Sequence, residues 1–303
     1  MNTADLFKKQ FVFSFEVYPP KKTAPIEVVY RAIDDLSKLA PDYISVTYGA
    51  GGGAATATAT VKIADYIKST HDIEAVAHIP SINLTRDQAS SLLARLQDRN
   101  IMNILALRGD RRPEDDTSTQ QQPSEFRYAS DLVSYIKQIE AANPPSKQFN
   151  IIGACYPEVH PEAKDAESDL ANLETKVEAG TTQLLTQLFF DNAAYYRFLE
   201  KARTANINIP IQAGILPLIS ARQGAFIIKL CNPTVPAKLQ AIFDKYADDD
   251  KSFRAAGIDY ATTQIVDLIE QKVDGIHLYT MNNPETATTI TKAVYPLLNR
   301  TSP

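Results

Sequence analysis

Several residues capable of acid–base or ionic chemistry lie inside or at the ends of apolar runs. Glu16 lies in FVFSFEVYPP, Arg108 in NILALRGD and Gln187 in LLTQLFF. A carboxyl group in such a run is either paired with a cation or kept protonated, and the protonated form is the usual state of a general acid. We therefore expect Glu16 either to pair with a neighbouring Lys or Arg or to protonate a leaving nitrogen or oxygen.

Asp110 directly follows Arg108 and Gly109 and has two interpretations. In the first, its carboxylate closes an Asx-type turn or pairs with the arginine. In the second, it supplies a negative charge that tunes an electron-poor ring or holds a cationic substrate.

A metal site is not expected, although His78, Cys155, Glu158 and His160 are residue types that bind metals. Their C-x2-E-x-H spacing matches no standard site, and the chain has neither HxH nor HExxH. A serine hydrolase lacks support because no GxSxG motif is present. A Schiff-base lysine is not indicated, since no lysine lies inside an apolar strand-like run.

Asp169, Asn172 and Lys176 are spaced i, i+3 and i+7 in DLANLETKVEAG, so they share one face of a predicted helix. Such a face is either solvated, with one weak ion pair, or forms a polar stripe. A polar stripe of this kind could hold the ribose and phosphate of a large cofactor.

Strand-like and helical segments alternate along the chain. The near-continuous apolar runs expected of parallel strands buried on both faces are 11–17, 43–48, 74–79, 103–108, 149–156, 183–190, 211–216 and 275–280. Helical spacing of apolar residues is found in 26–40, 60–70, 85–99, 129–142, 167–180, 192–205 and 220–231, and two extra helices are predicted at 235–247 and 253–272. Thr85 and Ser220 are predicted N-caps, and Gly180 is a predicted helix stop.

This alternation predicts a (β/α)8 TIM barrel, an α/β fold, as a single domain over residues 1–303 with the extra helices before the last strand. The competing fold is a doubly wound open sheet. Against it, GAGGG at 49–53 lacks the GxGxxG spacing and follows the second strand. Residues 49–60 are expected to form a loose loop, and 111–127 a long polar loop that is either a lid or disordered.

A barrel predicts that catalytic groups gather at the carboxyl ends of the strands. The polar residues and turns at those ends are Glu16, Thr47, Tyr48, His78, Arg108, Asp110, Tyr156, Glu158, His160, Gln187, Gly214 to Pro217, Tyr279 and Asn282.

Composition excludes several classes of protein. The 303 residues are 44% hydrophobic and 22% charged with a net charge of −5, which is ordinary for a globular chain and argues against nucleic acid as the main partner. We find no apolar stretch approaching a membrane span and no signal peptide. The two cysteines, Cys155 and Cys231, are far apart, which fits reduced thiols in a cytoplasmic protein.

At these residues the chain resembles the methylenetetrahydrofolate reductase family, the flavin-dependent barrel enzymes of one-carbon metabolism. The matching blocks run in order from about residue 11 to 290. They are FSFEVYPPK, DYISVTYGAGG, AHIP, ILALRGD, YASDLV, ACYPEVHPEA, DLANLETKVEAG, TQLFFD, GILPL and HLYTMNNPE.

The resemblance implies the role of each site residue. Glu16 would be the general acid that protonates the departing nitrogen of the methylene-folate ring and leaves an iminium. Asp110 would lie near the flavin pyrimidine and the pterin. The implied FAD contacts are Thr47, His78, Arg108, Gly109, Asp110, Tyr128, Ala129, Tyr156, His160, Asp169, Asn172 and Lys176. The implied folate contacts are Gln187, Gln223 and Tyr279.

The resemblance also implies the reaction. NADH or NADPH reduces FAD, and 5,10-methylenetetrahydrofolate then takes its place and becomes 5-methyltetrahydrofolate, a ping-pong sequence that serves methionine biosynthesis. Family members often self-associate, so a homo-oligomer is also expected. Two alternatives stay open: a catalytically silent subunit of a larger redox complex, and a folate barrel enzyme without flavin.

Two positions depart from familiar members of the family. An aromatic residue that stacks on ligand in some members is replaced by Ile227, with Phe226 beside it. A basic residue that reaches the folate tail in some members is replaced by Asn283.

Overall fold

The barrel consists of eight parallel strands that close on themselves in sequence order. The computed structural model describes residues 1–20, 23–49, 54–109 and 125–298. The strands are β1 (Val12–Val17), β2 (Tyr43–Val46), β3 (Glu74–Pro80), β4 (Asn103–Leu107), β5 (Asn150–Cys155), β6 (Gln183–Thr186), β7 (Ile211–Ile215) and β8 (Gly275–Tyr279). Pairing of β1 with β8 closes the barrel, which confirms the predicted TIM barrel and excludes the open sheet.

Helices alternate with the strands and cover the outside of the barrel. They are α1 (Glu27–Ser37), α2 (Ala54–His71), α3 (Arg86–Gln97), α4 (Ala129–Glu140), α5 (Ala166–Glu178), α6 (Asn192–Thr204), α7 (Ala221–Cys231), α8 (Ala237–Tyr246), α9 (Asp250–Glu270) and α10 (Pro284–Val294). The two extra helices predicted before the last strand are α8 and α9. Short 3-10 helices cover Thr3–Lys8, Pro145–Lys147 and Tyr295–Leu298.

Local capping explains where several helices begin and end. Thr85 caps α3 in a reciprocal capping box with Gln88, and the Ser220 hydroxyl accepts from the Gln223 amide at the start of α7. Gly180 has φ +121, a backbone conformation that favours glycine, directly after the C-cap of α5. These three sequence predictions are confirmed.

One local prediction is wrong. The sequence predicts a loose loop over the Ala- and Thr-rich segment 49–60, but α2 begins at Ala54. Ala57 and Val61 are buried, and the Thr60 hydroxyl donates to the carbonyls of Thr56 and Thr47. Tertiary burial and these bonds outweigh the weak helix preference of threonine. Residues 50–53 and 110–124, with Asp110 and most of the predicted 111–127 loop, lie outside the described residues.

The amino-terminal end of the barrel is filled by the first 3-10 helix. The Thr3 amide donates to Asn103 Oδ1 at 2.9 Å, and its hydroxyl donates to Gln183 Oε1 at 2.9 Å. Asn150 Nδ2 donates to the same hydroxyl at 2.8 Å. Asn103, Asn150 and Gln183 begin β4, β5 and β6, so the 3-10 helix covers the amino-terminal end of the barrel. A ligand is therefore expected at the opposite end, the mouth formed by the carboxyl ends of the strands.

Within the described ranges, no helix combines the length and the apolar character needed to cross a membrane.

Candidate active site

Glu16 lies near the carboxyl end of β1, between Ser45 of β2 and Tyr279 of β8. Its side chain is 17% exposed, and Oε2 lies 3.5 Å from His78 Nε2 and 3.7 Å from His277 Nε2. Among the described residues its ion-pair contacts are therefore with two imidazoles rather than with the Lys or Arg expected of a structural ion pair. A carboxyl group in this position can exchange a proton with a ligand at the mouth.

His78, at the end of β3, is buried, and burial lowers its pKa from 6.5 to about 4, although nearby Glu16 opposes the shift. The imidazole is therefore neutral near pH 7. Its Nε2 atom is buried and lacks a hydrogen-bond partner among the described residues. An orphaned buried nitrogen is costly, and it points to a ligand that completes the site.

His277 is the site residue that the sequence reasoning missed. It is fully buried in β8, with Nδ1 2.6 Å from Ser14 Oγ and Nε2 3.1 Å from Ser45 Oγ. Its ring stacks on Tyr43, with the centroids 5.8 Å apart. The available signal was its position two residues before Tyr279, because alternate residues of a strand lie on the same face.

Tyr279 lies at the end of β8, and its hydroxyl donates to the carbonyl of Thr186 at 2.7 Å. Burial raises its pKa well above 10, and the nearby Glu16 adds to the shift, so the phenol remains neutral. A Cβ at Gly214 would lie 2.6 Å from the Tyr279 hydroxyl and 2.4 Å from the Thr186 carbonyl oxygen. Glycine at that position is what allows the tyrosine to lie across β6 and β7.

The turn after β4 brings backbone close to the mouth. Gly109 has φ +86, and an added Cβ would lie 2.7 Å from Ile82 Cγ2 and 2.9 Å from Pro80 Cβ. Arg108 forms an ion pair with Glu162, which lies in the loop after β5. At β2, the Thr47 amide donates to the Val17 carbonyl at 3.0 Å, which holds Thr47 at the rim beside β1.

The loop after β5 and the start of α5 form one polar wall beside Arg108. The rings of Tyr156 and His160 meet edge to face with centroids 4.5 Å apart. The His160 amide donates to Asp169 Oδ2 at 3.0 Å, and its Nδ1 accepts from the Glu162 amide at 3.0 Å. Burial lowers the pKa of His160. The predicted residues of this region therefore lie together.

Lys176 of α5 lies over the end of β5. Its Nζ donates to the carbonyl of Ala154 at 2.5 Å, and burial lowers its pKa. A Cβ at Gly153 would lie 3.0 Å from Lys176 Cδ, so the glycine leaves room for the lysine chain. Asn172 of the same helix is exposed. The ammonium and the amide that were predicted to share a face therefore differ in burial.

Tyr128 and Ala129 lie where α4 begins. Tyr128 is the N-cap residue and is 48% exposed, with its amide donating to Asp131 Oδ2 at 2.8 Å. Ala129 is buried. Helix N-termini attract anionic groups, and here the first turn already carries the Asp131 carboxylate.

The side-chain carbonyls of Gln187 and Gln223 both accept hydrogen bonds from nearby backbone amides. Gln187 Oε1 accepts from the Leu188 amide, and Gln223 Oε1 accepts from the Ile219 amide, each at 2.8 Å. Within the part of the chain that is described, neither side-chain NH2 group donates a hydrogen bond. Both groups can therefore donate to a ligand.

The two departures from the family pattern have local reasons. Ile227 is buried between α7 and the helices after it, whereas the neighbouring Phe226 is 63% exposed. Asn283 is the N-cap of α10 and accepts from the Thr286 amide at 3.0 Å. Asn282, at the same strand end, accepts a hydrogen bond from the Tyr18 amide and donates one to the Tyr18 carbonyl.

The four residues considered for a metal give no cluster. Across the described ranges, no three His, Cys, Asp or Glu side chains are grouped as metal ligands. Burial raises the pKa of Cys155 to about 12, which keeps this residue a thiol rather than a ligating thiolate.

A sequence model of methylenetetrahydrofolate reductase matches residues 2–295. The chain belongs to the methylenetetrahydrofolate reductase family. It is 35% identical to the 5,10-methylenetetrahydrofolate reductase of Escherichia coli K12 over 91% of this chain and 88% of that protein. It is 32% identical to methylenetetrahydrofolate reductase (NADH) 1 of Arabidopsis thaliana over 92% of this chain, which corresponds to 47% of the plant protein.

A solved structure shares the fold at low identity. It is an uncharacterized protein from Clostridium thermocellum that binds two copies of 5-methyl-5,6,7,8-tetrahydrofolic acid. The TM-score is 0.67 at 15% identity, over 98% of this chain and 99% of that one. Membership of the methylenetetrahydrofolate reductase family and the barrel fold therefore agree.

Proposed function

We propose that this protein is a flavoenzyme that reduces 5,10-methylenetetrahydrofolate to 5-methyltetrahydrofolate, with FAD as its resident cofactor and NADH or NADPH as reductant. The observation that carries the proposal is the Glu16 carboxyl at the barrel mouth, which lies beside two imidazoles. Relatives at about a third identity bear the name of this activity. The Clostridium thermocellum protein binds 5-methyl-5,6,7,8-tetrahydrofolic acid, which supports a folate in a barrel of this shape.

The described residues fit FAD. His78 Nε2 is buried without a partner among the described residues. Gly109, where an added Cβ would clash with Ile82 and Pro80, allows the left-handed turn that follows Arg108. Arg108, His160 and Asp169 add charged and polar groups along the adjoining wall. The residues proposed to hold the cofactor are Thr47, His78, Arg108, Gly109, Asp110, Tyr128, Ala129, Tyr156, His160, Asp169, Asn172 and Lys176. Bound FAD would supply the hydride transfer between nicotinamide and folate carbon.

Glu16 is proposed to act on the folate itself. As the five-membered ring opens, the carbon–nitrogen bond breaks, its electrons stay on the nitrogen, and Glu16 delivers a proton there. The remaining nitrogen and the methylene carbon form an iminium, which accepts hydride at carbon. General acid catalysis of this kind requires a donor within hydrogen-bond reach of the leaving atom.

The folate is proposed to be held by groups at the other side of the mouth. Gln187 and Gln223 offer side-chain NH2 groups, and Tyr279 supplies an aromatic surface beside Glu16. Sequential use of this mouth by nicotinamide and folate would make the kinetics ping-pong. The same proposal includes three further properties of the protein. They are a single domain over residues 1–303, a cytoplasmic location and assembly into a homo-oligomer.

The deciding experiment uses the purified protein under anaerobic conditions. We expect a yellow protein whose flavin absorbance is bleached by NADH or by NADPH, each tested separately, and restored by methylenetetrahydrofolate. A colourless protein that takes up no FAD would favour a catalytically silent homologue. A protein that turns over folate without flavin or nicotinamide would favour a flavin-free barrel enzyme.

A further inference from the structure

A chain of buried hydrogen bonds crosses the inside of the barrel beneath Glu16. The Tyr43 hydroxyl lies 2.5 Å from Gln212 Oε1, and Gln212 Nε2 lies 2.8 Å from Ser14 Oγ. Ser14 Oγ lies 2.6 Å from His277 Nδ1. All four residues are fully buried, at positions where barrel interiors ordinarily carry branched apolar side chains.

The first links of the chain have a fixed direction. Gln212 Nε2 also lies 2.8 Å from the carbonyl oxygen of Ile276, which can only accept a hydrogen bond. The nitrogen of the Gln212 amide must therefore face that carbonyl, which places its oxygen toward Tyr43. It follows that the Tyr43 hydroxyl donates to Gln212.

The direction of the last link follows from the first ones. The second hydrogen of Gln212 Nε2 points to Ser14 Oγ, so the serine oxygen accepts there. The single hydroxyl hydrogen of Ser14 is then free to donate to His277 Nδ1, the other neighbour of that oxygen. With Nδ1 accepting, the neutral imidazole of His277 carries its hydrogen on Nε2.

With its hydrogen on Nε2, His277 donates to Ser45 Oγ at 3.1 Å, and the same nitrogen lies 3.7 Å from Glu16 Oε2, a close contact without a hydrogen bond. We propose that His277 is a positioning residue, held by Ser14 as the Nε2–H tautomer, that orients the Glu16 carboxyl for proton transfer. This inference rests on the role of Glu16 in the proposed function. It adds a residue that the implied catalytic and ligand-contact residues do not include.

The other groups around Glu16 do not share this arrangement. His78 lies at a similar distance, but its Nε2 has no hydrogen-bond partner among the described residues. The Tyr279 hydroxyl donates to the Thr186 carbonyl, and the Tyr43 hydroxyl donates to Gln212 Oε1. Of these three neighbours, none presents an N–H whose direction is set by a chain of buried donors.

The tautomer can be measured without any turnover. The chain has four histidines, so 15N NMR of histidine-labelled protein, purified as isolated, is assignable with a His277→Gln variant. We expect His277 to show a protonated Nε2 and an unprotonated Nδ1 near neutral pH. In Ser14→Ala that protonation pattern should change. In Tyr195→Phe, which removes a buried hydroxyl that takes no part in these hydrogen bonds, the pattern should stay the same. A wild-type His277 that is protonated at Nδ1 overturns the proposal.

The kinetic consequence separates positioning from a general structural effect. His277→Gln keeps an N–H near the Nε2 position, whereas His277→Phe keeps only the ring shape, and both lose Nδ1, the atom that contacts Ser14. We expect the folate half-reaction to fall about ten- to hundredfold in His277→Phe and to recover in part in His277→Gln, because a small misplacement of an acid group is costly. Reduction of the flavin by nicotinamide should change less in both.

The outcomes distinguish this inference from the proposed function. If wild type lacks the folate half-reaction while the NMR pattern is as expected, the proposed function fails and the hydrogen-bond chain stands as a structural feature. If wild type has the activity and the Gln and Phe variants behave alike, or both half-reactions fall equally, the positioning role is overturned.

Discussion

At the scale of single residues, Glu16 has an unusual set of neighbours, since its Oε2 lies 3.5 Å from the His78 imidazole and 3.7 Å from the His277 imidazole. We expect Glu16→Gln to slow the folate half-reaction by about 10²- to 10⁴-fold, the usual contribution of a general acid, because the amide cannot donate that proton. Flavin reduction by nicotinamide requires no proton delivered to folate and should change far less. Stopped-flow measurement of each half separately tests this, and an equal fall in both would assign Glu16 to binding or packing.

His78 predicts a pH dependence of stability. Folding lowers its pKa from 6.5 to about 4 because burial penalises the imidazolium. Between those values the unfolded chain binds a proton that the folded chain does not, so the folded state loses stability as the pH falls. From about pH 7 to pH 5 the loss from this group is about 2 kcal/mol. Urea unfolding at both pH values should show it in wild type, while His78→Gln, at equal FAD content, should show a smaller dependence.

At the scale of single elements, α5 presents Lys176 to the end of β5 and Asp169 to the loop after it. If this helix lines the FAD site, Lys176→Ala should weaken FAD binding about ten- to hundredfold, as expected for one lost charged contact. Lys201→Ala, at an exposed position on α6, is the control. Equilibrium dialysis measures the FAD affinity of both variants. An unchanged affinity in Lys176→Ala would show that α5 does not line the FAD site.

Helix α7 carries the exposed aromatic residue nearest to the position of the family's stacking residue. Phe226 is 63% exposed, and Ile227 beside it is buried. We expect Phe226→Ala to raise the KM for folate or nicotinamide roughly fivefold, since one aromatic contact contributes about 1 kcal/mol. Leu230→Ala, 58% exposed in the wild type and on the same helix, serves as the matched control. Identical KM values in the two variants would argue against stacking at Phe226.

At the scale of the whole molecule, the extra helices are joined to the barrel through a very close contact. A Cβ at Gly257 of α9 would lie 1.9 Å from the carbonyl oxygen of Leu218, in the segment between β7 and α7. We expect Gly257→Ala to lower the free energy of unfolding by about 1–3 kcal/mol because either the helix or that segment must shift. Asp259→Ala, at an exposed position of the same helix, should have little effect in urea unfolding. Equal stability of the two variants would show that the contact relaxes freely.

The sequence alone determined the order of the elements and predicted which end of the barrel carries the candidate site residues. Apolar runs near Phe15, Ile104 and Ile152 show strand character because both faces are buried, and helical spacing between them is a property of neighbouring residues. Those local patterns were enough to place Glu16, His78 and Tyr279 at strand ends. Helix α10 was missed, although Asn283 and Pro284 form a typical helix start.

Only the tertiary structure decided which of these groups meet. Ser14 and His277 are 263 residues apart and touch only because β1 pairs with β8 to close the barrel. The same closure brings His277 to Glu16, and neither contact leaves a pattern in the nearby sequence. The helical start of α2 at Ala54 was likewise decided by burial against the barrel, since alanine and threonine runs suit a loop or a helix until their packing surface is known. Local periodicity is a property of short segments of the chain, so it can be read from the sequence. The hydrogen bonds of the site join residues that are far apart in the sequence, and these residues come close only when the barrel closes.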